Sequence, residues 1–222
     1  PIHAAILDSL ISLQPWMSWA QNPTFEATEA HIQEGVHGWK SHRANHFSFT
    51  VIHKQDQHII GLFSFNSRSQ PVNPVYEISY WLSIHYQGQG LVTEAANGLT
   101  RYALQALLAN RVQLRTQVDN LKSIAVAKRC GFQYEGTLKH NLEHAHGHAS
   151  DGLMYACCDL ATLPPLTVSW HHTPPSRPTL KSLKPHASTH PLPLLPITTK
   201  RLQLIPPRAQ DTTALPAASM AS

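Results

Sequence analysis

Residues 86–94 read Tyr-Gln-Gly-Gln-Gly-Leu-Val-Thr-Glu, a spacing that can build a cradle for phosphate groups. A strand-like run ends at Ile84 and a helix-like run begins at Leu91, so Gly88 and Gly90 fall in the turn between them. Such a turn gathers backbone N–H groups at a helix N-terminus, where the helix dipole favours phosphate oxygens. Neither glycine carries a Cβ, so a ligand can approach the main chain closely. A Gly-x-Gly turn by itself is also an ordinary strand-to-helix joint, and its neighbours must decide.

Those neighbours are informative. A strand-like run at Val112–Val118 leads into Asp119-Asn120-Leu121-Lys122-Ser123, and the chain then reaches Cys130-Gly131-Phe132. The combination Gln87-x-x-Gly90-x-Val92, Asn120-x-x-Ser123 and Gly131-Phe132 resembles the GNAT acetyltransferases. Within them it looks most like the RimJ/RimL branch, which acetylates protein N-termini. The same resemblance is carried by Tyr76-Glu77-Ile78-Ser79-Tyr80-Trp81-Leu82, Thr93-Glu94-Ala95 and Leu13-Gln14-Pro15-Trp16-Met17, and it spans about residues 1–160. It implies a mixed α/β (α+β) fold: a mostly antiparallel, splayed central sheet flanked by helices. It also implies acetyl-CoA as co-substrate and leaves room for a homodimer.

The resemblance assigns roles residue by residue. The turn Gln87, Gly88, Gln89, Gly90, Leu91, Val92 and Thr93 would hold the pyrophosphate of coenzyme A, with Gln87 and Gln89 adding side-chain donors. Val92 departs from the small Gly or Ala usual at that place. Backbone groups near Trp81, Leu82 and Ser83 would bond the pantetheine arm and polarise the thioester carbonyl. Glu77 is the candidate base, directly or through water, for an α-amine whose pKa of about 7.7–8.0 requires little help. Its alternative reading is a structural ion pair or a group that orients the peptide. Glu94 is a weaker base candidate, because a carboxylate in a first helical turn already suits the dipole. Ser123 is the candidate acid for the departing thiolate, since Ala127 stands where many relatives place a tyrosine. Asn120 would bind the pantetheine or hold Ser123; Asp119 and Asn120 are equally good helix caps.

The implied reaction moves an acetyl group to a primary amine, foremost a protein N-terminal α-amine, with ribosomal proteins among the acceptors. A small-molecule amine such as an antibiotic or polyamine is one alternative. A non-catalytic coenzyme A-binding module is another. Composition narrows little further. Seventeen Lys+Arg against 13 Asp+Glu give a formal charge of +4, too mild to argue for nucleic acid. No apolar run approaches the roughly 20 residues of a membrane span, and no signal-peptide pattern opens the chain. Cys130, Cys157 and Cys158 show no paired spacing and read as reduced thiols of a cytoplasmic protein. His140, His144, His146 and His148 raise a zinc reading, but only Glu143 and no cysteine accompanies them, so a solvated loop and no metal are expected.

The elements that must position these residues follow from periodicity. Ile6, Leu7, Leu10 and Leu13 recur at helical spacing, and Asn22-Pro23-Thr24 introduces a helix over Phe25–His42. Strands are predicted over Phe47–His53, Ile59–Phe65, Val75–Ile84, Phe132–Leu142 and Asp151–Leu160. In Val75–Ile84 the residues Tyr76, Ile78, Tyr80, Leu82 and Ile84 share one face, and Glu77, Ser79, Trp81 and Ser83 the other. Leu91–Ala109 should bury Leu91, Ala95, Leu99, Tyr102 and Ala106. Trp16 and Trp19 suit either the wall of a peptide cleft or the core.

After Leu160 the composition changes. Residues 161–196 hold nine of the 17 prolines, and no acidic residue occurs from 161 to 210, a linker composition. Ile197–Ile205 then alternates like a strand, and Asp211 could cap a helix. The segment 197–222 resembles the first strand and helix start of a RimJ/RimL domain, displaced to the tail. A piece of a tandem array, a circular permutant and a strand donated to a neighbour all fit. The echo of Pro1-Ile2-His3-Ala4-Ala5 in Leu215-Pro216-Ala217-Ala218 favours the tandem array.

Overall fold

The computed structural model describes residues 1–40, 46–66, 68–70, 74–144, 147–170 and 196–212. Eight strands form one sheet in the order β5-β6-β4-β3-β2-β1-β8-β7. They are β1 (Phe47–His53), β2 (Ile59–Phe65), β3 (Val75–Leu82), β4 (Arg111–Gln117), β5 (Gln133–Glu143), β6 (Ala149–Cys157), β7 (Ile197–Thr198) and β8 (Leu202–Ile205). The helices are α1 (Ile2–Asp8), α2 (Leu10–Leu13), α3 (Phe25–Lys40), α4 (Leu91–Gln105) and α5 (Leu121–Arg129). Every neighbouring pair is antiparallel except β3 and β4. That parallel pair is joined by the crossover helix α4, since parallel neighbours cannot be linked by a tight hairpin.

The alternation read in β3 decides the packing. Ile78 and Leu82 join Phe63, Phe65 and Leu114 under α4, which buries Leu91, Ala95, Leu99 and Tyr102 as its spacing predicts, with Ala106 buried just past its end. On the opposite face Trp81 and Leu62 pack with Ile2, Ile6, Leu13, Ala20 and Ile32 from the N-terminal helices. Each face of the sheet is therefore covered by its own group of helices. Gly131 turns α5 into β5 at φ +77°, and a Cβ there would lie 2.0 Å from the Thr162 carbonyl oxygen. Only glycine fits that contact, which explains the Gly131-Phe132 signal.

Several boundaries differ from the sequence reading. Helix α4 stops at Gln105, and Leu108 adopts a left-handed φ of +54° before β4. Strand β3 ends at Leu82, and Ile84–Tyr86 forms a 3₁₀ turn. The segment read as a coreless linker from residue 161 is packed as far as Trp170. Leu163 is buried, Trp170 stacks edge-on against Tyr102, and Ser169 bridges Thr198. The remainder of that segment, the end of the helix read to His42, and residues 213–222 lie outside the described residues.

The tail alternation resolves into two short strands around a turn at Thr199–Arg201. Strand β8 pairs antiparallel with β1, from Thr50↔Ile205 to His53↔Leu202. Ile197, Leu202 and Leu204 are fully buried in the main core. Asp211 ends a 3₁₀ turn, where its carboxylate accepts from Arg208 N (2.8 Å) and Thr50 Oγ1 (3.1 Å). Among the described residues no helix is long and apolar enough to cross a membrane.

Candidate active site

The site begins where the sheet comes apart. Strands β3 and β4 pair only from Val75↔Arg111 to Ile78↔Leu114. Beyond that point β3 stays paired to β2 as far as Leu82, and β4 to β6 as far as Gln117. The facing edges of Ser79–Leu82 and Arg115–Gln117 thus leave each other and open a gap through the sheet. A cavity of about 870 Å³ occupies it, and consecutive residues from both strands line it. Unpaired strand edges present backbone donors and acceptors to an extended ligand.

The double-glycine turn closes one end. Gly88 and Gly90 have φ of +74° and +76°, and Gly90 serves as the N-cap of α4 with no side chain capping the helix. The first-turn N–H groups of Leu91, Val92 and Thr93 therefore face the cavity wall uncapped, the arrangement an anion requires. The glutamine side chains also bond within the chain. Gln87 Nε2 donates to Leu82 O (3.0 Å) and Ser12 Oγ (3.1 Å), while Lys122 Nζ donates to its Oε1. Gln89 turns away from the cavity and donates to His85 O. Both side chains brace the turn, and Gln87 uses both Nε2 hydrogens in doing so.

Arg201, from the β7–β8 turn, completes this corner. Its Nε donates to Glu94 Oε2 (2.7 Å), its backbone N to Glu94 Oε1 (2.8 Å), and its Nη1 to Gln89 O (2.9 Å). Burial opposes ionisation of Glu94. Bonds from Thr199 and Arg201, with the Arg201 charge, nevertheless hold its carboxyl below the usual range. Glu94 is thus a carboxylate locked to the tail.

Ser123 stands on the cavity wall at the N-terminus of α5, where Asn120 Oδ1 accepts from Ser123 N (3.0 Å) as a helix cap. Its hydroxyl lies 2.8 Å from the Tyr80 hydroxyl. Burial pushes the Tyr80 phenol well above its ordinary value, partly offset by the Ser123 bond. A protonated phenol therefore backs Ser123, supplied by β3 and not by position 127. The sequence reading missed Tyr80 because it looked for a tyrosine within α5.

Glu77, read as the candidate base or as a structural ion pair, is enclosed by donors. Its side chain is 2% exposed and lies off the cavity wall. Oε1 accepts from Asn66 (3.1 Å) and Arg68 (3.3 Å), and Oε2 from Gln113 (2.8 Å) and Arg115 (3.0 Å). With two donors on each oxygen, this geometry suits the alternative reading, an ion-paired residue that orients others.

The rim on the α1–α3 face comprises Trp16, Met17, Leu142 and Glu143, with Arg115 and Gln117 inside it. Trp16 packs edge-on to His144, and Trp19 tilts against the buried Trp81. Among the described residues no three His, Cys, Asp or Glu side chains gather as metal ligands; His146 lies outside them.

An acetyltransferase (GNAT) domain model matches residues 4–133, more than half of the chain. The chain belongs to the GNAT acetyltransferases. It is an acyltransferase that uses acetyl-CoA. It is 34% identical over 140 residues to the ribosomal-protein-serine acetyltransferase of Escherichia coli K12, covering 63% of this chain and 75% of that protein. It is 29% identical over 151 residues to a putative ribosomal N-acetyltransferase of Bacillus subtilis, covering 68% and 80%. Among solved structures, the RimL ribosomal L7/L12 alpha-N-protein acetyltransferase in complex with coenzyme A matches with a TM-score of 0.64. That match has 28% identity over 72% of this chain and 87% of RimL. The microcin C7 self-immunity acetyltransferase, bound to acetyl-CoA and AMP, matches at 0.62 and 28%, covering 71% and 84%. This GNAT enzyme thus presents, at its sheet gap and glycine turn, the features expected to receive an acetyl thioester.

Proposed function

We propose that this GNAT enzyme acetylates the N-terminal α-amine of a protein, a ribosomal protein being the leading acceptor class. The single observation that carries the reading is the gap between β3 and β4, whose cavity is lined by the glycine turn and by Trp16 and Met17 of the N-terminal segment. An amine on an extended chain end can enter such a gap while bulkier groups stay outside. The similarity to ribosomal-protein acetyltransferases supports the acceptor class.

Acetyl-CoA supplies an activated acetyl thioester; the rest is done by this chain. N–H groups of Gly88 to Thr93 and the α4 dipole hold the pyrophosphate, and Asn120 flanks the pantetheine path. The free β3 edge offers the fixed N–H of Leu82 to the carbonyl oxygen, which need not reorganise as charge develops, while the N–H of Trp81 is paired with β2. Ser123 gives its proton to the leaving sulfur and recovers one from the attacking nitrogen as the amide forms, while the Tyr80 hydroxyl, which stays protonated, hydrogen-bonds the Ser123 oxygen. Glu77 acts by holding Arg115 and not by taking a proton. An α-amine of pKa about 7.7–8.0 needs no dedicated strong base near neutral pH.

We further propose that residues 1–170 and 196–212 form one catalytic unit, because the tail buries core residues and binds Glu94. Three free cysteines fit a reducing compartment, and we place the reaction in the cytoplasm. The test is calorimetric titration of acetyl-CoA into the chain, followed by thiol release with Ser-, Ala- and Met-initiated peptides and with spermidine. Peptide-dependent release supports the reading. Release with spermidine alone, or binding without release, overturns it.

A further inference from the structure

The freedom that lets the glycine turn accept an anion also leaves its main chain weakly held. The Gln89–Gly90 peptide is trans, so Gln89 O and the Gly90 N–H point to opposite sides of the chain. Turning that plane over changes φ at Gly90, and glycine adopts positive and negative φ about equally readily. Gly90 stands at φ +76° on the cavity wall, and its N–H donates to no group among the described residues. A glycine by itself does not keep that N–H aimed at a phosphate.

The hold comes from far along the chain. Arg201, in the turn between β7 and β8, donates from Nη1 to Gln89 O (2.9 Å), across 112 residues. With the carbonyl fixed on the Arg201 side, the Gly90 N–H is fixed facing away from it. The guanidinium is held in turn by its Nε bond to Glu94 Oε2 (2.7 Å), and Glu94 Oε1 accepts from Arg201 N (2.8 Å) and Thr199 Oγ1. Buried Ile197, Leu202 and Leu204 seat the turn that carries Arg201. The same contacts meet a second difficulty. Glu94 lies in the first turn of α4, where its negative charge would repel a phosphate at the helix N-terminus; the Arg201 cation pairs with it there.

We propose that Arg201 is a positioning residue for acetyl-CoA: it clamps the Gln89–Gly90 peptide so that the Gly90 N–H meets the pyrophosphate, and it offsets the Glu94 charge beside it. The inference rests on the placement of the pyrophosphate at the glycine turn made above, and deepens it. Donor affinity then depends on a side chain from residues 196–212, a segment that contributes no described residue to the cavity wall. The dependence is confined to the phosphate end of the donor, because the clamp touches the turn and not the β3–β4 gap.

The test measures binding to the full chain by titration calorimetry of acetyl-CoA and by its displacement with two fragments. ADP carries the diphosphate without the pantetheine; S-acetylpantetheine carries the thioester arm without the diphosphate. Arg201→Met should weaken acetyl-CoA and ADP each roughly tenfold, the effect of one hydrogen bond to a charged group, and leave S-acetylpantetheine unchanged. Arg201→Lys keeps a cation for Glu94 without the planar fork; it should show the same pattern at smaller size, and it decides the matter if Arg201→Met fails to fold. Leu204→Ala removes packing beneath the turn but none of these bonds, and at a temperature where it is folded it should bind all three as the parent does. Parent-like ADP affinity in the Arg201 variants overturns the proposal, as does an equal loss for ADP and S-acetylpantetheine or an equal loss in Leu204→Ala. If acetyl-CoA binds the unaltered enzyme no more tightly than S-acetylpantetheine, the pyrophosphate does not sit at the glycine turn, and that placement falls together with this inference. No arm requires turnover, so the result is independent of the acceptor.

Discussion

Replacing Leu204 with Ala tests whether the tail belongs to the folded enzyme. Leu204 is fully buried; it pairs with Val51 on β1 and with Ile197 on β7. The substitution removes three buried carbons, about 2.4 kcal/mol at about 0.8 kcal/mol each. The cavity left between β8 and α4 adds to this, so about 3 kcal/mol is expected, within the range of about 2–5 for such core changes. For a chain of this size each kcal/mol lowers the melting temperature by about 2–4 °C, which predicts a fall of about 6–12 °C. Differential scanning calorimetry measures it, with Ile11→Ala as control because Ile11 is 78% exposed and should stay within about 0.5 kcal/mol of the parent. Melting should not depend on protein concentration, since β8 pairs within its own chain. If Leu204→Ala melts with the control, β8 does not occupy the edge of β1 in solution and the reasoning fails. A melting temperature that climbs with concentration would instead point to a strand exchanged between chains.

Four further outcomes follow from the site. Ser123→Ala should lower kcat by roughly 10²–10⁴-fold with acetyl-CoA affinity retained; full activity would show that another group protonates the thiolate. Tyr80→Phe should lower kcat by a smaller factor, and the parent should keep activity past the ordinary tyrosine range near pH 10, because burial keeps the phenol protonated. Gly90→Ala must hold a φ of +76°, at a cost of about 1–2 kcal/mol, and its Cβ would meet only Arg201 Nη2 at 3.7 Å; a lower melting point with weakened acetyl-CoA binding is expected in thermal shift and calorimetry. Glu94 has a lowered pKa in the fold, so the unfolded chain binds more protons. Its stabilisation is present above pH of about 4.3 and lost as pH falls through the folded value. Melting curves of Glu94→Gln against pH should be flatter on the acid side than those of the parent, and parallel curves would refute the pairing with Arg201.

Local pattern made much of this enzyme legible before any coordinates. Two glycines between a strand-like and a helix-like run place an anion cradle because backbone freedom and the helix dipole are properties of a few adjacent residues. The two-residue period of Val75–Leu82 assigns the faces of β3 because side chains alternate on any strand. Ser123 and its Asn120 cap lie three residues apart, so their bond follows from a helix start. What sequence could not settle is which distant groups meet. Glu77 was legible as a carboxylate beside the gap, yet whether it abstracts a proton depends on Arg68, Gln113 and Arg115 converging on it. The polar run Arg111, Gln113, Arg115, Gln117 on one face of β4 was the available hint that this face is not plain core. Tyr80 reaches Ser123 across 43 residues, and Arg201 reaches Glu94 across 107. Sequence determined the fold family and the cradle; tertiary structure decided which groups meet Ser123, Glu77 and Glu94 and where the tail packs, because hydrogen-bond saturation and burial are set by neighbours in space and not along the chain.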